Sequence, residues 1–193
     1  MKQEIALRWV TPEDAVALAD IYAPYVRDTA ISFEDEVPTA AEFGARLHHV
    51  LPEYPWLVCR APGQVLGYAY AHRQAERAAY QWNAELSVYL DRSRTGQGLG
   101  RRLYTALMEM LRLQGIHTVY ALVTVPNEKS EGLHGSMGFR HMGTQRSTGY
   151  KDGAWRDVAW FEKQIAPYDP DPAPLAPIGQ VPLERLAEIL ASC

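Results

Sequence analysis

The stretch 85–104, E-L-S-V-Y-L-D-R-S-R-T-G-Q-G-L-G-R-R-L-Y, decides how the chain is read. Its opening residues alternate, with Leu86, Val88 and Leu90 on one face and Glu85, Ser87 and Tyr89 on the other, so a strand is expected within 80–91. Glycines follow at 96, 98 and 100, after which Leu99, Leu103, Ala106, Leu107 and Met110 keep helical spacing up to a stop at Gly115. Thr118–Val125 is β-rich again. Residues 85–125 therefore read as strand, glycine turn, helix, strand, a crossover that makes its two strands parallel neighbours. Backbone N–H groups at such a turn, with a helix dipole behind them, favour an anion such as phosphate.

Upstream, Ile5–Val10 reads as a strand, and T-P-E-D at 11–14 supplies Thr as N-cap, Pro at the first helical position and acids in the first turn of a helix to about Val26. P-T-A-A-E at 38–42 resembles a capping box and opens a helix to about Leu51. W-L-V-C-R at 56–60 and V-L-G-Y-A-Y-A at 65–71 flank A-P-G-Q as a hairpin. Downstream, P-N-E-K-S opens a shorter helix ending near Gly138, and F-R-H-M-G pairs with W-R-D-V-A-W-F-E across the Asp152–Gly153 turn. From Ala166 onward six prolines mark an extended tail, with a short helix expected in 181–191. The expectation is a mixed α/β sheet in one domain, 1–165, followed by a proline-rich tail, 166–193. Trp82, Trp155 and Trp160 read as packing residues.

The 193 residues carry 23 acids and 19 bases, a net charge of −4 with histidines neutral, which argues against nucleic acid or an anionic membrane as partner. No apolar run approaches the roughly 20 residues that span a bilayer, and the first residues lack the apolar core of a signal peptide. Cys59 and Cys193 lie far apart and read as free thiols, so a cytoplasmic setting is expected.

Three nucleotide readings compete for the glycine loop. A P-loop needs a lysine after its last glycine, and none lies nearby in sequence. A dinucleotide fingerprint needs a third glycine where Arg101 stands, and an acid where the next strand ends in T-V-P-N. The third reading is a pyrophosphate loop for coenzyme A, with Arg92, Arg94, Arg101 and Arg102 crowding it.

T-G-Q-G-L-G after E-L-S-V-Y-L resembles motif A of the GNAT acetyltransferase superfamily. I-Y-A-P-Y-V, S-F-E, Y-P-W-L-V, G-Y-A-Y-A, R-A-A-Y-Q-W-N-A-E-L-S-V-Y, P-N-E-K-S, L-H-G-S-M-G-F and G-Y-K-D-G-A-W-R-D-V are similar to phosphinothricin acetyltransferases, over about Ile5–Glu162. The resemblance implies a mixed, mostly antiparallel sheet with one parallel pair at the acetyl-CoA site, flanked by helices. It implies acetyl-CoA as co-substrate, no metal, a small amino-acid acceptor such as phosphinothricin or methionine sulfoximine, and a homodimer. The motif departs from the family at Thr95, where relatives have Arg or Gln, and at Gly135, where they commonly have Glu.

Acetyl transfer to an ammonium needs a base, and the resemblance puts Glu85 in that position, where a solvated strand-edge glutamate is the alternative. His134 falls where many relatives place a tyrosine acid, and an imidazole there would protonate the leaving thiolate or relay a proton; the alternative is a structural histidine. Neither cysteine matches an acyl-enzyme position, so direct attack is expected. The implied cofactor contacts are Val88, Tyr89 and Leu90 of the strand, Thr95, Gly96, Gln97, Gly98, Leu99, Gly100 and Arg101 of the loop, and Asn127 and Ser130, which equally read as helix-capping residues. Arg73 and Arg77 offer forks for an acceptor carboxylate, or form a solvated pair on a loop. Phe33, Tyr80 and Tyr150 wall the acceptor pocket or belong to the core. Beside this stand the same chemistry on a peptide N-terminus or polyamine, and a non-catalytic acyl-CoA-binding module.

Overall fold

The computed structural model describes residues 5–193. Seven strands form one sheet: β1 (Ala6–Trp9), β2 (Trp56–Ala61), β3 (Gln64–Arg73), β4 (Asn83–Leu90), β5 (Thr118–Val125), β6 (Arg140–Lys151) and β7 (Ala154–Gln164). Their order is β1-β2-β3-β4-β5-β7-β6. Every neighbouring pair is antiparallel except β4 and β5, which are parallel as the crossover requires.

The helices are α1 (Ala15–Arg27), α2 (Ala40–Val50), α3 (Leu99–Gln114), α4 (Glu128–Ser136) and α5 (Leu183–Ser192). α1 and α2 bury Leu18, Ile21, Tyr22, Val26, Phe43 and Leu47 against Trp56, Val58 and Tyr68 on one face of the sheet. α3 buries Leu103, Leu107, Met110 and Leu111 against Leu57, Leu66, Ala69, Leu86 and Val119 on the other. Each large apolar side chain so covered contributes about 1.5–3 kcal/mol, so the two layers hold the sheet rigid under the site.

Local signals act as expected. Thr39 Oγ1 accepts from the Glu42 N–H at 3.2 Å while Glu42 Oε2 accepts from the Thr39 N–H at 2.7 Å, the reciprocal box that starts α2. α3 is bounded by glycines in the left-handed region, Gly98 at φ 80° and Gly115 at φ 96°, a conformation that costs a side-chain-bearing residue about 1 kcal/mol or more. Asp152 and Gly153 both have positive φ, as a two-residue hairpin between β6 and β7 demands.

Residues 166–193 lie against the core rather than away from it. Ile178, Val181 and Leu186 join the α3 side of the core. The Trp82 indole N–H donates to the Ala173 carbonyl at 2.8 Å, and the Gln114 amide donates to Ala176 at 2.8 Å. Trp155 departs from the expected packing role: it is 63 % exposed and meets Tyr150 edge-on at 5.4 Å, because both project from the β6–β7 hairpin near its turn. Among the described residues no helix is long and apolar enough to cross a membrane, and no group of His, Cys, Asp or Glu is arranged to hold a metal ion.

Candidate active site

The parallel pair is short. β4 and β5 are in register only at Asn83–Glu85 and Thr118–Tyr120. Beyond this, β4 pairs with β3 alone and β5 with β7 alone, so their facing edges splay apart. The cleft between them, about 60 Å³, is lined by Ser87, Val88 and Tyr89 on one side, Ala121–Thr124 on the other, and Ile31, Tyr104, Asn127, Ser130 and His134 around them. Its lining draws on both faces of the sheet, with Ile31 from the loop between α1 and α2 and Tyr104 and His134 from α3 and α4. On the β4 edge, the Leu86 carbonyl accepts from the Tyr104 hydroxyl and the Leu90 carbonyl from the Tyr25 hydroxyl. Val88 lies midway and shares that edge by the strand's period of two. Its backbone groups therefore face the cleft, whereas buried backbone groups ordinarily have partners.

The glycine loop lies at the end of β4. Gly96 and Gly98 both have positive φ, and the N-terminus of α3 has no side-chain cap, so its first N–H groups stay available to an anion. Gly100 allows the first turn of α3 to sit close to α4, since a Cβ there would lie 3.3 Å from the Leu133 side chain.

The arginines differ from expectation. Arg92 pairs with Asp28 at 2.9 Å, Arg101 donates to the Ser136 hydroxyl at 2.7 Å, and Arg102 donates to the Cys193 and Ile5 carbonyls. Successive helical residues point about 100° apart, so Arg101 turns to α4 and Arg102 to the C-terminus. A lysine also reaches the loop. Lys129, distant in sequence, donates from α4 to Thr95 Oγ1 at 3.2 Å. Sequence reading singled out P-N-E-K-S but passed over its lysine, because only the α4 packing brings it to the loop. Asn127 caps α4 by accepting from the Ser130 N–H at 3.3 Å, and both residues also line the cleft.

His134 is 2 % exposed, with its ring 5.4 Å from Phe161 in a near-parallel stack. Nδ1 lies 2.7 Å from the Ser130 carbonyl, which accepts only from an N–H; the neutral ring therefore carries its lone pair on Nε2. Nε2 is buried and has no partner among the described residues. Burial pushes the pKa down, opposed by the Ser130 contact. At neutral pH the ring rests uncharged and accepts a proton; it donates one only after taking one up.

Glu85 is the last residue of β4 paired to β5, at the closed end of the splay. Desolvation raises its pKa, and nearby His72 lowers it in part. His72 is its register partner on β3, with Nε2 3.7 Å from Oε1.

The proposed acceptor residues are not all together. Arg73 is in register with core residue Ala84, on the face opposite Glu85, and is paired with Glu53 at 2.8 Å. Arg77 and Tyr80 stand exposed around the turn before β4. Phe33 packs against Gly149, where an added Cβ would come within 2.3 Å of its ring, and Tyr150 is the next residue on β6. Ile31, which lines the cleft, comes from the same loop as Phe33 and had no sequence signal of its own.

A parallel pair that splays beside a glycine-started helix defines an acyl-CoA transferase site. Residues 7–160 match the family described as Acetyltransferase (GNAT) domain, and the chain belongs to that family, as an acetyl-CoA-dependent N-acetyltransferase. It is 34 % identical over 180 residues to a phosphinothricin N-acetyltransferase of Streptomyces viridochromogenes, covering 93 % of this chain and 98 % of the relative. It is 30 % identical over 162 residues to an L-methionine sulfoximine/L-methionine sulfone acetyltransferase of Salmonella typhimurium, covering 83 % and 95 %. Among solved structures, a protein from Salmonella typhimurium solved with its cofactor acetyl-CoA superposes with a TM-score of 0.81 at 30 % identity, over 89 % of this chain and 98 % of that one.

Proposed function

We propose that the enzyme acetylates the α-amine of a small amino acid or analogue, of the methionine sulfoximine or phosphinothricin kind, by direct attack of the amine on the thioester of acetyl-CoA. The carrying observation is the splayed β4–β5 cleft, with Glu85 at its closed end and the unpartnered His134 Nε2 on its wall. The pyrophosphate lies on the α3 N-terminus beside Lys129, and the pantetheine amides use the free edge at Val88. The thioester oxygen then meets the Val88 N–H as charge develops on it. Glu85 takes the ammonium proton, directly or through a water, and the amine attacks. His134, neutral at rest, takes at Nε2 the proton that the attacking nitrogen sheds from the tetrahedral adduct and returns it to the departing thiolate. The names of the relatives support the acceptor class. We also propose a homodimer, for which the exposed Met142, Tyr150 and Trp155 of the β6–β7 hairpin are candidate contacts, and a cytoplasmic location.

The test is acetyl-CoA turnover against a panel of methionine sulfoximine, methionine sulfone, phosphinothricin, free amino acids, a polyamine and a peptide N-terminus. Turnover confined to the last two sinks the amino-acid reading. Binding of acetyl-CoA without turnover of any amine sinks the enzymatic one.

Two variants probe the subsites. Lys129→Ala is expected to raise KM for acetyl-CoA about three- to tenfold with kcat little changed, since a partly exposed charge on phosphate is worth about 1 kcal/mol; an unchanged KM removes Lys129 from the cofactor site. Because Arg73 is held by Glu53, Arg77→Ala should raise the acceptor KM more than Arg73→Ala does. The reverse ranking in a steady-state comparison returns the carboxylate contact to Arg73.

A further inference from the structure

Glu85 at the closed end of the cleft must discharge each proton it takes before the next turnover, and the protein offers one route beside it. His72 faces Glu85 across the β3–β4 ladder, with Nε2 3.7 Å from Oε1. Its Nδ1 lies 3.0 Å from the Arg73 carbonyl, an acceptor, so Nδ1 carries a hydrogen in every charge state. That leaves Nε2, on the Glu85 side, as the nitrogen that gains or loses a proton. The imidazole is also more open to solvent than the carboxylate, with side-chain exposures of 36 % and 21 %. The order is a fixed backbone acceptor, a ring held by it, then the carboxylate.

Resting on the assignment of Glu85 as base, we propose that His72 is a positioning residue that keeps the Glu85 carboxylate ionised and carries its proton out to solvent. The steps balance without a further reactant. From the imidazolium–carboxylate pair, the ammonium gives a proton to Glu85, His72 Nε2 releases its own proton to water, and the emptied Nε2 then takes the proton of the carboxylic acid, which restores the pair. The other ionisable groups around the pair are few. Tyr70 on β3 and Tyr104 on α3 are kept protonated by burial, and Tyr120 on β5, in register with Glu85, is raised by burial and by Glu162 beyond it. Arg46 of α2 is held by Glu34, and Arg73 by Glu53. None of these places a nitrogen that can carry a proton beside the carboxylate as His72 Nε2 does.

The experiment is the pH profile of kcat/KM for the acceptor with saturating acetyl-CoA, on the wild type, His72→Ala, His72→Gln and Glu85→Gln. Gln fills much of the ring's space without a titrating proton and guards against a packing loss in the alanine variant. Both His72 variants are expected to move the acid limb upward by about one pH unit. That is roughly a tenfold loss below the limb that recovers at high pH. If both keep the wild-type limb while Glu85→Gln is inactive, the His72 role is overturned and the base assignment stands. If Glu85→Gln is fully active, the base assignment itself falls and takes the His72 role with it.

Discussion

Glu85→Gln is expected to lower kcat by roughly 10²–10⁴-fold, the usual range for removing a positioned general base, with KM for acetyl-CoA close to its wild-type value. The substitution keeps the shape and a hydrogen-bonding tip but cannot take the ammonium proton. The carboxylate sits where β4 and β5 part, away from the loop expected to hold the phosphates, so cofactor binding should be spared. Burial raises its pKa while His72 opposes the rise. Only the ionised carboxylate acts as base, so the wild-type rate should climb as pH rises through that raised value and fall below it. The variant should lose this limb along with most of the rate. Steady-state kinetics from pH 5.5 to 9.5 check both points. A kcat within about threefold of wild type, or a retained acid limb, would move the base elsewhere.

Lys151→Met is expected to cost about 3 kcal/mol of stability, because the residue is 5 % exposed and its ammonium donates to three carbonyls, those of Val26, Ser32 and Glu34, at 2.8, 2.8 and 2.6 Å. An ammonium has three protons, and here each has one acceptor. Met fills the volume but leaves three carbonyls without a donor, and a buried unsatisfied polar group costs about 1–3 kcal/mol, less where water or relaxation supplies a partner. Val26 lies in the last turn of α1, so the lysine also answers the negative end of that helix. For a chain of this size, about 3 kcal/mol corresponds to a fall in Tm of roughly 6–12 °C. The same change frees the loop that carries Ile31 and Phe33, so the acceptor KM should rise while that for acetyl-CoA holds. Thermal unfolding and limited proteolysis within 28–38 test it. A loss below about 1 kcal/mol with no new cleavage would mean that water replaces the ammonium.

These two residues differ in how far they could be read in advance. Glu85 was legible because strand alternation, the glycine turn and the family resemblance converge on it. Lys151 sits inside G-Y-K-D-G, where nothing local distinguishes a buried ammonium from a turn-flanking surface lysine. Its three acceptors come from residues more than a hundred positions earlier. The same distance hid Lys129, which reaches Thr95 across 34 positions, and His72, which meets Glu85 through strand register. It also hid the partners of the arginines: a cluster in sequence is divided by helix geometry, which sends Arg101 and Arg102 to different neighbours.

What the sequence by itself determined is the set of elements, the parallel crossover at β4–β5, the glycine-started α3 and the family with its acetyl-CoA chemistry. These rest on short-range physics: side-chain period, capping, positive φ at glycine, and the handedness of a crossover. Only the tertiary structure decided where β4 and β5 part, which cations stand at the loop, which ring nitrogen of His134 is free, and that Arg73 is paired with Glu53. Those depend on contacts between residues far apart along the chain, whose partners are settled by packing and register rather than by local pattern.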